Sequence, residues 1–105
     1  FNKQKKIISL KSLNYDESSR LIFNDTISLI LTEKENEIFN FLLSNEISIS
    51  KKTLLKNIWK YSDGIDTHTL ETHIYSLRKK LESTIKVKNI LEHKENGYIL
   101  NKNLL

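Results

Sequence analysis

The sequence contains no cysteine, and that absence excludes disulfides, thiolate metal sites and cysteine nucleophiles together. No apolar run approaches the about 18 residues of a membrane-spanning helix. Residues 1–10 carry lysines but neither a long apolar run nor a small-residue cleavage site, so they do not read as a signal peptide. Methionine is absent as well, so a chain that opens on Phe1 is expected to have been cut from something longer. Arginine is scarce, two against fifteen lysines. Together with abundant Ile and Asn, that usage suggests an AT-rich source genome. Three histidines and no glycine-rich loop leave no nucleophile–base pair and no phosphate cradle at a recognisable spacing, so catalysis is not expected.

What is there suits one folded domain spanning residues 1–105. Hydrophobic residues make up 38% and charged residues 29%, the balance of a globular domain rather than a disordered tail. The net charge of +4 mildly favours a polyanionic partner. Its distribution is more telling: residues 32–50 hold four glutamates against one lysine, so positive charge belongs to the later elements.

Residues 1–31 read as a small antiparallel sheet. Ile7-Ile8-Ser9-Leu10, Leu21-Ile22-Phe23 and Thr26-Ile27-Ser28-Leu29-Ile30 are strand-like runs separated by turn residues. Asn24-Asp25 is the expected two-residue hairpin turn, since both residues tolerate positive φ, and residues 15–19 are expected to form another turn. At Thr32 the period changes. Thr32-Glu33-Lys34-Glu35 is a capping box opening a first helix, with Ile38, Phe39, Phe41, Leu42 and Leu43 as its apolar stripe. A second helix starts after Ser50 as N-cap and buries Leu54, Leu55, Ile58 and Trp59, until Ser62-Asp63-Gly64 breaks it. A third helix is expected over about residues 66–82. Residues 83–105 close the chain with a hairpin turned at Asn96-Gly97. Sheet, three helices over residues 32–82, then hairpin: this order is α+β.

The third helix is the informative one. Leu70, Ile74, Leu77 and Leu81 fall in one narrow sector at about 100° per residue and must face the core. The opposite side carries His68, Thr72, Tyr75 and Lys79, flanked by Thr69 and Ser76. Mid-sized hydrogen-bonding side chains with a methyl-bearing Thr suit base edges in a major groove. An ordinary solvated face is the competing reading, though such faces more often show Glu–Lys pairs. Lys51 and Lys52 sit in the first turn of the second helix, against the helix dipole. Chance explains that placement, and so does a bound phosphate. The hairpin tip, His93-Lys94-Glu95-Asn96-Gly97, is polar and able to reach DNA, although Glu95 weakens its charge. His68 and His73 flank Glu71 but lie five apart, about 140° around the helix, so they cannot share a zinc ion as histidines four apart do. No metal or cofactor is expected, and His73 is expected to pack.

From Leu31 onward the chain resembles the OmpR/PhoB-type effector domain of two-component response regulators. Leu31-Thr32-Glu33-Lys34-Glu35 matches the family's L-T-x-x-E opening, and Leu54-Leu55-Lys56-Asn57-Ile58-Trp59 matches its Trp-ending second helix. Thr69-Leu70-Glu71-Thr72-His73-Ile74-Tyr75-Ser76-Leu77-Arg78-Lys79-Lys80-Leu81 is close to the family's T-V-D-V-H-I-x-x-L-R-K-K-L. Gly97-Tyr98-Ile99 stands where the family has G-Y-R. The resemblance implies a winged helix-turn-helix fold with a four-stranded leading sheet. It implies groove contacts from His68, Thr72, Tyr75, Ser76 and Arg78, and phosphate contacts from Lys52, Trp59, Lys79 and Tyr98. Lys94 and Asn96 would be the wing contacts, and the loop of residues 60–65 would meet RNA polymerase. The implied partners are duplex DNA and, in the full-length protein, a second copy of the chain, in the bacterial cytoplasm at the nucleoid. An upstream receiver domain, if present, would control pairing on direct repeats.

Two departures matter. Family members often carry Arg at the positions of His68, Tyr75 and Ser76. Lacking these guanine readers, this chain is expected to prefer A/T-rich sites, with Thr72 on thymine methyls. Glu95 replaces a small wing residue. The shortage of Arg and the modest charge motivate one alternative: a winged protein-interaction module that does not bind DNA.

Overall fold

A computed structural model describes residues 7–60 and 66–105. Four short antiparallel strands come first: β1 (Ile7–Ser9), β2 (Asn14–Asp16), β3 (Leu21–Phe23) and β4 (Ser28–Ile30), in that order across the sheet. Ile8, Tyr15, Ile22 and Leu29 stand opposite one another on successive strands. The alternation of a strand sends that column to one face, and Tyr15, Ile22 and Leu29 are buried there.

Two local expectations fail here. The expected turn at residues 15–19 begins in a strand, because Tyr15 is drawn into the core. Its ring meets Phe39 edge-on at 4.7 Å and its hydroxyl donates to Asn36 Oδ1 at 2.5 Å. The chain reverses only after Asp16, whose carboxylate accepts from the Ser18 and Ser19 hydroxyls. Those two hydrogen bonds hold the Asp16 carboxyl below the usual range. Nor is Asn24-Asp25 a two-residue turn. Phe23 pairs with Ser28, so four residues intervene, and the Asn24 side chain accepts from the backbone N–H groups of Thr26 and Ile27. An Asx turn of this kind needs no positive φ, and neither residue takes one.

The first helix, α1 (Glu33–Leu43), opens with the expected capping box between Thr32 and Glu35. Ile38, Phe39, Leu42 and Leu43 are buried, while Phe41 packs at the rim of the core. A two-residue strand, β5 (Ile49–Ser50), leads directly into α2 (Lys51–Trp59), capped by the Ser50 side chain on the Thr53 N–H. Leu54 and Ile58 are buried, with Leu55 and Trp59 half-buried beside them. The expected break at Ser62-Asp63-Gly64 lies outside the described residues.

The third helix, α3 (Thr67–Ile85), is capped by Asp66 and runs past Glu82 to a left-handed Lys86. Leu70, Ile74, Leu77 and Leu81 are all buried. Each such side chain contributes about 1.5–3 kcal/mol of hydrophobic stabilisation, and together they press α3 onto α1 and α2.

The hairpin comprises β6 (Leu91–Lys94) and β7 (Gly97–Leu100), and β7 also pairs with β5, giving the sheet order β5-β7-β6. Lys94 pairs with Gly97, so the turn residues are Glu95 and Asn96, both at positive φ, one position earlier than expected. Gly97 serves a different need. A β-carbon there would stand 2.1 Å from the Ile49 backbone oxygen, so only glycine lets β5 lie this close. Sheet, three helices and a hairpin with a third strand make up an α+β winged helix-turn-helix architecture. Among the described residues no helix is long and apolar enough to cross a membrane.

Candidate nucleic-acid interface

The face of α3 opposite its leucine stripe is open to solvent. His68, Thr72 and Lys79 are exposed, and Tyr75 is 59% exposed although its ring is large and mostly apolar. The Lys79 ammonium lies 5.5 Å from the centre of the Tyr75 ring, a cation–π geometry that holds ring and charge side by side. Thr72 donates its hydroxyl to the His68 carbonyl at 3.0 Å. The donor is thus spent inside the helix, leaving a methyl group and acceptor lone pairs to meet a ligand.

Two residues expected as groove contacts, Ser76 flanking this face and Arg78 from the resemblance, also bond within the fold. Ser76 is half-buried and donates to Glu35 Oε2 at 2.6 Å, so its hydroxyl proton is committed to α1. Arg78 is half-buried and donates from Nε to the Leu91 carbonyl at 3.2 Å. That bond ties α3 to β6, and the guanidinium keeps four further N–H donors.

Around this face lie the other expected contacts. Lys52 is exposed in the first turn of α2, whereas its neighbour Lys51 pairs with Glu71 at 2.9 Å. The bond raises the Lys51 ammonium and lowers the Glu71 carboxyl from their ordinary pKa values. The pair joins α2 to α3, and no spacing in the sequence signals it. Trp59 is half-buried against His73, ring centres 5.6 Å apart, with the Lys34 ammonium 5.4 Å from the indole. His73 therefore packs, and among the described residues no cluster of three His, Asp or Glu side chains could hold a metal.

On the wing, Lys94 and Asn96 are exposed. The Ser48 hydroxyl donates to the Lys94 carbonyl at 2.5 Å, and the Lys51 N–H donates to the Asn96 carbonyl at 3.4 Å. The wing tip is thereby fastened to the start of α2. Tyr98 is only 5% exposed and lies under His93, ring centres 5.2 Å apart. Burial pushes its hydroxyl pKa up. The loop at residues 60–65 falls, except for Lys60, outside the described residues.

By its spacing from Thr32, Glu35 is half of a capping box. It is also the acceptor for Ser76 and Lys80, both at 2.6 Å. Nothing in the spacing of Thr32 and Glu35 foretells partners more than forty residues away.

The model of the family described as transcriptional regulatory protein, C terminal, matches residues 26–100. Transcriptional regulatory protein ResD of Bacillus subtilis is 31% identical over 78 residues, covering 73% of this chain and 32% of its own. Transcriptional regulatory protein SrrA of Staphylococcus aureus is 32% identical over 76 residues, covering 71% of this chain and 32% of its own. The chain thus spans about a third of the length of the curated relatives it matches. Among solved structures, the Klebsiella pneumoniae RstA DNA-binding domain in complex with RstA box superposes with a TM-score of 0.72 at 26% identity. That superposition covers 90% of this chain and 96% of the RstA domain.

Proposed function

This chain belongs to the family of transcriptional regulatory protein C-terminal domains, and from that membership we propose that α3 reads duplex DNA as the effector end of a response regulator. One observation carries the reading: His68, Thr72, Tyr75 and Lys79 form an exposed face on α3, backed by a buried leucine stripe and flanked by the wing. A helix so presented fits a major groove about 12 Å wide, and the RstA domain is an example of the same fold in complex with its box.

The roles divide by chemistry. Thr72 and Tyr75 are the base-edge readers, with His68 at the leading end of the helix. Ser76 serves from behind, through Glu35. Lys52, Lys79 and the free end of Arg78 meet phosphates, which position the domain without specifying sequence. Trp59 adds a phosphate contact beside Lys34, and Lys94 and Asn96 address the neighbouring minor groove. With no arginine on the reading face, the preferred sites are A/T-rich. In the parent protein two copies would bind direct repeats under control of an upstream receiver domain, and residues 60–65 would face RNA polymerase. The function is binding, exercised in the bacterial cytoplasm, and no catalytic role is assigned.

A labelled-duplex titration with mixed genomic fragments at low salt tests this. The expected result is retention of a subset of fragments. A module of this size buries roughly 600–1,000 Å² of protein surface on DNA, so a single copy should bind weakly. If about four phosphates are neutralised, log K should fall with a slope near about −3.6 against log salt. Absence of any shift at low salt would leave the protein-interaction alternative standing instead.

A further inference from the structure

Glu35 is 1% exposed. Its Oε1 accepts from the Thr32 N–H at 2.9 Å and from Lys80 Nζ at 2.6 Å, while Oε2 accepts from the Ser76 hydroxyl at 2.6 Å. The first of these closes the capping box of α1. The other two come from α3. A capping box needs only a carboxylate that reaches back to the backbone; it requires neither burial nor donors on another helix. A buried carboxylate is tolerated only when paired and hydrogen-bonded, and here α3 supplies both conditions.

The two donors are four residues apart, and Thr72 lies four residues before Ser76. Thr72, Ser76 and Lys80 therefore form one row along α3. Glu35 grips two members of the row. The third, Thr72, is exposed one turn nearer the helix N-terminus. The row of Tyr75 and Lys79 stands about 100° away around the axis. Holding Ser76 and Lys80 thus fixes the angle at which Thr72 and Tyr75 leave the helix. The leucine stripe packs the inner side of α3 into the core, and the Glu35 bonds add an angle-dependent constraint nearer the outer side. Lys80 also donates to the Ile30 carbonyl at 3.4 Å, which adds the end of β4 to the clamp. Burial alone would raise the Glu35 carboxyl pKa, yet the bonds from Lys80, Ser76 and Thr32 hold it below its ordinary value. The ionised form is the one that clamps.

We propose that Glu35 is a positioning residue for sequence readout: through Ser76 and Lys80 it sets the rotation of α3 about its own axis. This rests on the DNA-binding reading above. Glu35 itself is out of reach of DNA, so its effect must appear in discrimination between sequences rather than in attraction to phosphate.

The experiment compares the 105-residue chain with Glu35→Gln, Lys80→Gln and Lys80→Arg. Each is titrated against a duplex selected by the unmodified chain and against a shuffled duplex of equal length, with circular-dichroism melting alongside. Glu35→Gln and Lys80→Gln should lower the ratio of the two affinities about tenfold, the size of one mismatched base pair, with the salt slope unchanged. Lys80→Arg should restore most of the ratio. An unchanged ratio in folded Glu35→Gln overturns the proposal. So does a shallower salt slope with equal losses on both duplexes in Lys80→Gln, which would make Lys80 a phosphate contact. Should Glu35→Gln fail to fold, the two Lys80 variants decide. An unmodified chain that binds both duplexes alike overturns the DNA reading and this proposal with it. A discriminating chain with unaffected variants removes only the role of Glu35.

Discussion

The backbone oxygen of Ile49 lies 2.1 Å from the point a β-carbon on residue 97 would occupy, so Gly97 is a contact requirement rather than a turn residue. Gly97→Ala must push β5 off β7, and the neighbour is backbone that cannot swing away. The expected cost is about 1–3 kcal/mol, the range for overpacking a fitted site. Urea unfolding checks it. Stability equal to that of the unmodified chain would show that the two strands can separate freely.

Glu95 occupies the first position of the wing turn at φ 52, a conformation that Asn adopts more readily than Glu. Glu95→Asn should raise stability by about 0.5–1 kcal/mol, a typical gain when a residue suits its backbone. It also removes a negative charge from the wing tip, so DNA affinity should rise at low salt and the gain should shrink as salt is added. A thermal melt and titrations at two salt concentrations measure both effects. Unaltered affinity at low salt would place the wing tip away from the duplex.

Tyr75 and Lys52 should fail in different ways. Tyr75→Ala removes a reader, so binding to the selected site should weaken by a factor corresponding to about 1–3 kcal/mol while random DNA is little affected. Lys52→Ala should weaken all sequences alike and reduce the salt slope by about one. Equal losses on specific and random DNA for both variants would contradict this division of roles.

Acid should loosen the junction between α1 and α3. The Glu35 carboxyl is lowered in the fold, so its contribution is present above the unfolded value near about 4.3 and is lost as pH falls through the lower folded value. Below that point the clamp is protonated. Glu35→Gln should be less stable than the unmodified chain at neutral pH, with a flatter dependence on pH below about 4.3. Denaturation series at stepped pH give the slopes. Parallel slopes would mean that Glu35 titrates alike in both states.

Much of this fold was legible because local chemistry and tertiary packing agree. Thr32 and Glu35 announce a helix start through backbone donors that lie within the same turn. Leu70, Ile74, Leu77 and Leu81 mark a buried stripe by period alone. What escaped depends on partners far along the chain. Tyr15 looks like a turn residue beside Asp16 and Glu17 until Phe39 and Asn36 draw it inward. β5 is two residues long and exists because β7 lies beside it. The helical wheel gives the angle of Ser76 and the resemblance points to Arg78, yet neither reveals that Glu35 and Leu91 already accept from them. His68, Thr72, Tyr75 and Lys79 are the side chains left open on the outer face of α3, and what steadies them lies behind it.

The pairing of β5 with β7 has one more consequence. Because β5 runs without a gap into α2, any displacement of β7 is carried straight into the first turn of that helix, and the two must shift as one piece. On the proposed reading, such rigid coupling would penalise a duplex of unsuitable shape even where no base is touched, a form of indirect readout.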